Sequence, residues 1–341
     1  MKKIISIIGL FAFLITINAC SKSASSTPTN TTPPPVVTPG AKLMNLPAGW
    51  KYSSLISSGF PDGMELYFFD SIYAGRKTKM FCVAYNAKNA LFEFKPVLSS
   101  TAKKLSDFNK DESGKVLACI NGGYFGSNQS FSLVKYNGLP VASANIKTLS
   151  RNFNGVATTY YPTRAAFGIS ATGDPSVAWI YHVGTGNDLV YQYPSPNANA
   201  EGQSPQPIPT ATFPTGASIW NIHSAIGGSP MLLRNNAVNI TDVQELISIN
   251  NTTSRSRTAI GYTDNNLIIL LVVEGDNSSG GYLGMNLTEL AAALKSLGCS
   301  NAINLDGGGS SSMIAGGQLL NRPGDNGVER SIVSAVLIKQ R

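Results

Sequence analysis

Residues 267 to 313 limit the fold more than any other stretch of the chain. Leu267 to Val273 is an unbroken run of Leu, Ile and Val, as in a strand buried on both faces, and it stops at Glu274-Gly275. Asn286 can cap a helix, and Glu289 stands three residues further on as in a capping box. Leu290, Leu294 and Leu297 form one stripe before Gly298, so the pattern predicts a helix over about 287–297. Asn301 to Leu305 then reads as a second short strand. It runs into Asp306-Gly307-Gly308-Gly309-Ser310-Ser311-Ser312. Strand, helix and strand in this order make a βαβ unit at 267–305, with parallel strands and a right-handed crossover. The carboxyl ends of both strands share one sheet edge, where ligands bind in such sheets. Glu274 and Asp306 are therefore expected to face one cleft. As direct neighbours at a strand spacing of about 4.8 Å, their carboxylates would lie roughly 5 to 10 Å apart, the separation of the paired acids in glycoside hydrolysis.

Elsewhere, short apolar or alternating stretches read as strands: Leu66 to Tyr73, Lys79 to Tyr85, Leu91 to Phe94, Val116 to Ile120, Phe131 to Tyr136, Ala165 to Ile169 and Val177 to Val183. With 33 Gly, 19 Pro and only 13% charged residues, many short strands joined by tight turns fit better than a helical bundle. The expected class is α+β (mixed α/β), a twisted mixed β-sheet core with a few packed helices. Residues 184 to 216 hold six prolines and read as a long surface excursion. Arg164 to Ile169 is echoed by Arg257 to Tyr262, each at the start of a strand.

Lys2 and Lys3 precede an apolar run from Ile4 to Ile17 that ends in Asn18-Ala19-Cys20. The run is too short to span a bilayer and suits an export signal. Ile17-Asn18-Ala19-Cys20 resembles a bacterial lipobox, which makes residues 1–19 a signal peptide, Cys20 the lipidated residue and residues 20–41 a Ser/Thr/Pro-rich tether. Ser21 after that Cys resembles the pattern sent to the outer membrane. Fully extended at about 3.1 Å per residue, the tether would reach roughly 60 Å. The formal charge of +7 suggests nucleic acid, but no Lys/Arg run after the first three residues exceeds two, as at Lys103-Lys104. Without Lys2 and Lys3, 24 basic residues face 19 acidic ones. This small, dispersed surplus suits an anionic glycan better than nucleic acid. Cys82, Cys119 and Cys299, each in or beside an apolar run, read as buried free thiols.

Several loops carry candidate chemistry. Asp306 to Ser312 supplies consecutive backbone N–H groups and three hydroxyls after a strand, a nest for phosphate or a sugar oxygen through Gly307, Gly308, Gly309 and Ser310. No Lys follows, so it is not a P-loop. Asn121-Gly122-Gly123-Tyr124 follows another strand, with an amide to bond hydroxyls and an aromatic to stack on a sugar. Gly228, with His223 upstream, repeats the idea. Arg257 and Arg330 each open an apolar strand and have the fork that a phosphodiester needs. With no Gly-x-Ser-x-Gly elbow and only two histidines, a serine hydrolase is disfavoured.

In order and spacing, Asn121 to Phe125, Gly227 to Leu233, Arg257 to Gly261, Glu274-Gly275, the 286–297 helix, Asn301 to Ser310 and Arg330 resemble the phosphodiester glycosidase family. The likeness covers a catalytic domain of about 115–341, with residues 42–114 as a β-rich N-terminal part outside it. It implies hydrolysis of a sugar 1-phosphodiester, such as an alpha-linked N-acetylhexosamine, with Asp306 as nucleophile or base and Glu274 as its partner. Glu274 stands where Asp is commoner in the family, and Asp276-Asn277 where a basic or amide residue is. No cofactor is required, and a carboxylate pair is also compatible with calcium or magnesium. The alternatives are a non-catalytic glycan-binding envelope lipoprotein and a structural protein that binds peptidoglycan.

Overall fold

The computed structural model describes residues 43–276 and 280–341. The expected signal peptide 1–19, Cys20, the 20–41 tether and Asn277 lie outside the described residues. Among the described residues, no helix is long and apolar enough to cross a membrane.

The largest sheet has eight strands among the described residues. At its centre Arg76–Asn86, Leu267–Glu274, Arg257–Thr263 and Cys299–Asn304 lie side by side. The strand Met64–Tyr73 extends it on one side and Met231–Arg234 on the other. A second sheet is built on Arg164–Ile169, Pro175–His182 and Ser224–Gly227, and a third on Val116–Asn121, Ile332–Gln340 and Phe92–Lys103. The three sheets turn one face each into a shared core that includes Val83, Leu270, Phe167, Trp179, Ile120 and Val336. Residues 43–114 are part of this assembly: Arg76–Asn86 pairs with Leu267–Glu274, and Phe92–Lys103 pairs with Ile332–Gln340.

The helix forms at Leu287–Ser296, where Asn286 and Glu289 close the expected capping box. Its buried Leu287, Leu290 and Leu294 cover the other face of the large sheet, over Tyr67, Met80, Cys82 and Leu271. The expected mixed sheet is not found, since every strand pairing among the described residues is antiparallel. Leu267–Glu274 and Cys299–Asn304 do run the same way, but Arg257–Thr263 lies between them and pairs with both. The crossover therefore skips one strand. Its carboxyl ends still reach one edge, about two strand spacings or roughly 10 Å apart.

Most strand expectations hold to within a few residues, but in 131–136 only Val134–Lys135 pairs, against Ser224–Gly227. The 184–216 excursion contains its own strand, Val190–Tyr193, and buried Asn197 ties it down by donating to the carbonyls of Tyr161 and Pro207. Cys82, Cys119 and Cys299 are buried and free, and burial raises each thiol above its ordinary value.

Candidate active site

A cavity of about 540 Å³ opens at the edge where Leu267–Glu274 and Cys299–Asn304 end. Asp306, Gly307, Gly308 and Gly309 form one wall, Arg255, Arg257 and Asp276 another, and Asp325 and Arg330 a third. Tyr124, Ile249, Asn250 and Gly324 complete the lining. Its size is in the range of small-molecule sites, and its walls are unusually charged.

Asp306 leaves the Cys299–Asn304 strand into a glycine turn. Its carboxylate Oδ1 accepts the N–H of Gly307 at 2.9 Å, and Gly308 N–H donates to Ser256 O at 2.8 Å. Burial pushes the Asp306 carboxyl up to about 6, against the opposing pull of Ser310, the Gly307 N–H and Arg330. A value near 6 leaves Asp306 ionised at neutral pH yet basic enough to take a proton. At Gly309 an added Cβ would stand 2.1 Å from Asp325 Oδ1 and 2.3 Å from Arg330 Nη2, so a side chain there would displace that ion pair. The glycine lets that ion pair close over the turn.

The three arginines differ in what they have left to offer. Arg330 grips Asp325 through two parallel bonds, Nε to Oδ2 and Nη2 to Oδ1, each 2.8 Å. Arg255 Nη1 meets Asp276 Oδ1 at 2.8 Å. Arg257 is 2% exposed and donates from Nε to Met285 O, from Nη1 to Ile249 O and from Nη2 to Asn250 O and Thr253 O. Although it borders the cavity, Arg257 is therefore chiefly a clamp on the 249–253 wall. The echoed Arg164 does similar work, donating from Nη2 to Leu246 O at 3.2 Å. The two sequence echoes thus hold neighbouring parts of one loop from two sheets.

Other expected contacts lie behind the cavity. Asn121 is fully buried and faces no open space: Nδ2 donates to Asp306 O at 2.8 Å, while Oδ1 accepts from Thr258 Oγ1 at 2.7 Å and Ser312 N at 3.2 Å. Gly122, Gly123 and Gly228 are packing glycines, since an added Cβ would meet Ser334 Oγ at 2.3 Å, Gly227 O at 2.3 Å and Asn304 O at 2.2 Å respectively. Ser310 is buried behind the turn. Tyr124 does line the cavity, but its hydroxyl is anchored to Ser229 O at 2.6 Å. His223 does not line this cavity: it stands beside Gly138 and borders two other cavities.

Glu274 reaches the right edge on the wrong face. The even-numbered Ile268, Leu270 and Val272 point into the shared core, and Glu274 continues that series. It is 2% exposed, with Oε2 3.9 Å from Lys79 Nζ, and it does not line the cavity. Asp276 takes its place there. After Gly275, Asp276 adopts a left-handed φ of +51°, which Asp tolerates better than most residues, and its Oδ2 accepts Ser256 N–H at 2.9 Å. Ile249, Asn250, Arg255, Asp276, Gly324 and Asp325 are the lining residues that sequence reasoning missed. The one usable signal was the alternation of acid and Gly at 274–276; the others lie in loops whose course no periodicity reveals. Among the described residues, no group of three or more His, Cys, Asp or Glu side chains forms a metal-holding cluster.

The phosphodiester glycosidase family matches residues 114–339. The bovine N-acetylglucosamine-1-phosphodiester alpha-N-acetylglucosaminidase is 34% identical over 110 residues, 32% of this chain and 20% of that protein. The mouse protein of the same name is 38% identical over 71 residues, 21% of this chain and 13% of that protein. The chain thus spans at most about a fifth of the length of these relatives. The zebrafish N-acetylglucosamine-1-phosphodiester alpha-N-acetylglucosaminidase catalytic domain shares the fold, with a TM-score of 0.54 at 20% identity over 86% of this chain and 89% of that one. A hypothetical protein from Synechocystis does so with a TM-score of 0.54 at 21% identity, over 87% of this chain and 69% of that one.

Proposed function

The chain belongs to the phosphodiester glycosidase family, and from this premise we propose that it hydrolyses the glycosidic bond of a sugar 1-phosphodiester, with an alpha-linked N-acetylhexosamine as the sugar. The observation that carries the reading is the placement of Asp306: a carboxyl held near 6 stands on a glycine turn in one cavity with the Arg330–Asp325 pair. Cleavage of the anomeric C–O bond releases a phosphate monoester, a weakly basic anion that needs little protonation. One carboxylate therefore suffices to act on the anomeric carbon, directly or through water. The guanidinium edge of Arg330 that is turned away from Asp325 and the Gly307 to Gly309 turn receive the diester oxygens, and the Tyr124 ring borders the sugar. Asp276 replaces Glu274 as the second acid of the cavity. It holds Arg255 in place and leaves the chemistry to Asp306.

The test is release of free sugar from a synthetic N-acetylglucosamine 1-phosphodiester by the wild type and by Asp306→Asn. A folded Asp306→Asn protein with full activity would remove Asp306 from the mechanism. Tight sugar binding with no turnover across a diester panel would favour the glycan-binding alternative. We further propose that Cys20 anchors the protein as an outer-membrane lipoprotein. The supporting pattern is Ile17-Asn18-Ala19-Cys20 followed by Ser21 and a Pro-rich tether. Cys20→Ala should move the protein from the membrane to the soluble fraction, and unchanged fractionation would reject the anchor.

A further inference from the structure

A carboxylate that no part of the proposed chemistry uses lies behind the cavity. Glu245 is fully buried and accepts five hydrogen bonds. The donors are the backbone N–H groups of Ala165 and Met231, each at 2.9 Å, Trp179 Nε1 at 3.1 Å, Thr241 Oγ1 at 2.5 Å and the Ser229 hydroxyl. A buried acid is tolerable only when so many donors replace its water. One of the five leads on to the site.

Ser229 is itself fully buried, and its carbonyl accepts Tyr124 Oη–H at 2.6 Å and Asn304 Nδ2 at 3.0 Å. The same Tyr124 hydroxyl stands 3.2 Å from Leu305 O and accepts Asn304 Nδ2 at 2.7 Å. Leu305 O belongs to the peptide that enters Asp306. The path from Glu245 therefore runs by hydrogen bond to the Ser229 hydroxyl, through that residue to its carbonyl, and from there to the Tyr124 hydroxyl and to Asn304 Nδ2, which also donates to Leu305 O at 2.6 Å. Such a chain fixes where the Asp306 backbone lies, and the misplacement of a reacting group by about 1 Å can cost roughly 100-fold in rate.

We propose that Glu245 is a positioning residue for Asp306, acting through the Ser229 hydroxyl and the Tyr124 phenol. The proposal rests on the reading of Asp306 as the reacting carboxylate, so its test includes a readout that needs no substrate. Replacing Glu245 itself removes the acceptor of five donors and risks the fold. Ser229→Ala instead removes only the donor that leads from Glu245 to Tyr124 and Asn304. In the full chain, the titration midpoint of Asp306 is followed by carbon NMR with labelled aspartate, assigned through Asp306→Asn. It is measured in wild type, Ser229→Ala, Tyr124→Phe, the double variant and Thr241→Ala.

Ser229→Ala and Tyr124→Phe should each move the midpoint by about half a unit or more, and the double variant by no more than the larger single change. Thr241→Ala removes a Glu245 donor that leads nowhere near Asp306, and it should leave the midpoint in place. On a sugar 1-phosphodiester, Ser229→Ala should lower kcat about 10- to 100-fold with little change in KM. An unmoved midpoint in Ser229→Ala, additive shifts in the double variant, or an equal shift in Thr241→Ala each overturns the proposal. If the midpoints move as expected while wild type releases no sugar from any diester, the hydrolase reading fails and the positioning of Asp306 stands.

Discussion

Asn121 Nδ2 donates to the carbonyl oxygen of Asp306 over 2.8 Å, although the two residues are 185 positions apart. The bond joins the strand end of one sheet to that of another, and the same amide holds Thr258 and Ser312 through Oδ1. Replacing Asn121 by Ala would strand the Asp306 carbonyl and the Ser312 N–H, each worth about 1–3 kcal/mol when left unsatisfied, while Thr258 Oγ1 would keep Ser311 Oγ. Asn121→Ala should therefore unfold at markedly lower denaturant and lose activity together, as equilibrium unfolding and sugar release would show. Lost activity with unchanged stability would instead mean that Asn121 touches substrate.

Asp306 sets two opposite pH dependences. As an ionised nucleophile or base, it should make kcat/KM rise with pH through about 6, and Asp306→Asn should lower activity roughly 10²- to 10⁴-fold. For stability the sign reverses. The folded value lies above the ordinary 3.8, so the contribution of this carboxyl to stability is full below about 3.8 and is lost as pH rises through about 6. Asp306→Asn should then be more stable than wild type at pH 8, by at most about 3 kcal/mol, with no such gain at pH 4. Thermal unfolding at both pH values checks this.

Asp276 and Glu274 are separated by their faces. Asp276→Asn should weaken the hold on Arg255 and lower kcat/KM about 10-fold. Glu274→Gln should leave kcat/KM within about threefold of wild type, because the side chain lies outside the cavity. Kinetics of the two variants in parallel decide the matter, and the reverse order of effects would restore Glu274 as the partner acid.

Arg257→Lys keeps the charge and loses the fork that holds four carbonyls. We expect a loss of roughly 2–4 kcal/mol in unfolding free energy and faster proteolysis within 249–253. An effect confined to KM would mean that its role is to bind phosphate.

The thiols of Cys82, Cys119 and Cys299 are buried, and burial holds each above its ordinary value. Labelling by a thiol reagent at pH 8 should be negligible in the native protein and complete for these three in denaturant.

Much of the frame is legible in the chain itself, because local patterns have local causes. The capped helix at Leu287–Ser296, the apolar Leu267–Glu274 strand and the Asp306 glycine turn each follow from spacing that backbone geometry imposes. The placement of Glu274 was not legible in the same way. A one-residue change of face at a strand end depends on which side the neighbouring sheet covers, and that is settled by packing between strands far apart in sequence. The same holds for Arg257, which reads as a phosphate fork until the 249–253 carbonyls are seen around it.

By itself the sequence determined that a crossover delivers Asp306 and its glycines to a sheet edge, since helix caps, apolar runs and turns are written in neighbouring residues. Only the tertiary structure decided which groups meet there. The antiparallel Arg257–Thr263 strand inserted between the crossover strands, the exchange of Glu274 for Asp276 and the pairing of Arg330 with Asp325 all depend on contacts between distant segments. No periodicity in the chain encodes such contacts, because they arise only when the three sheets close on one core.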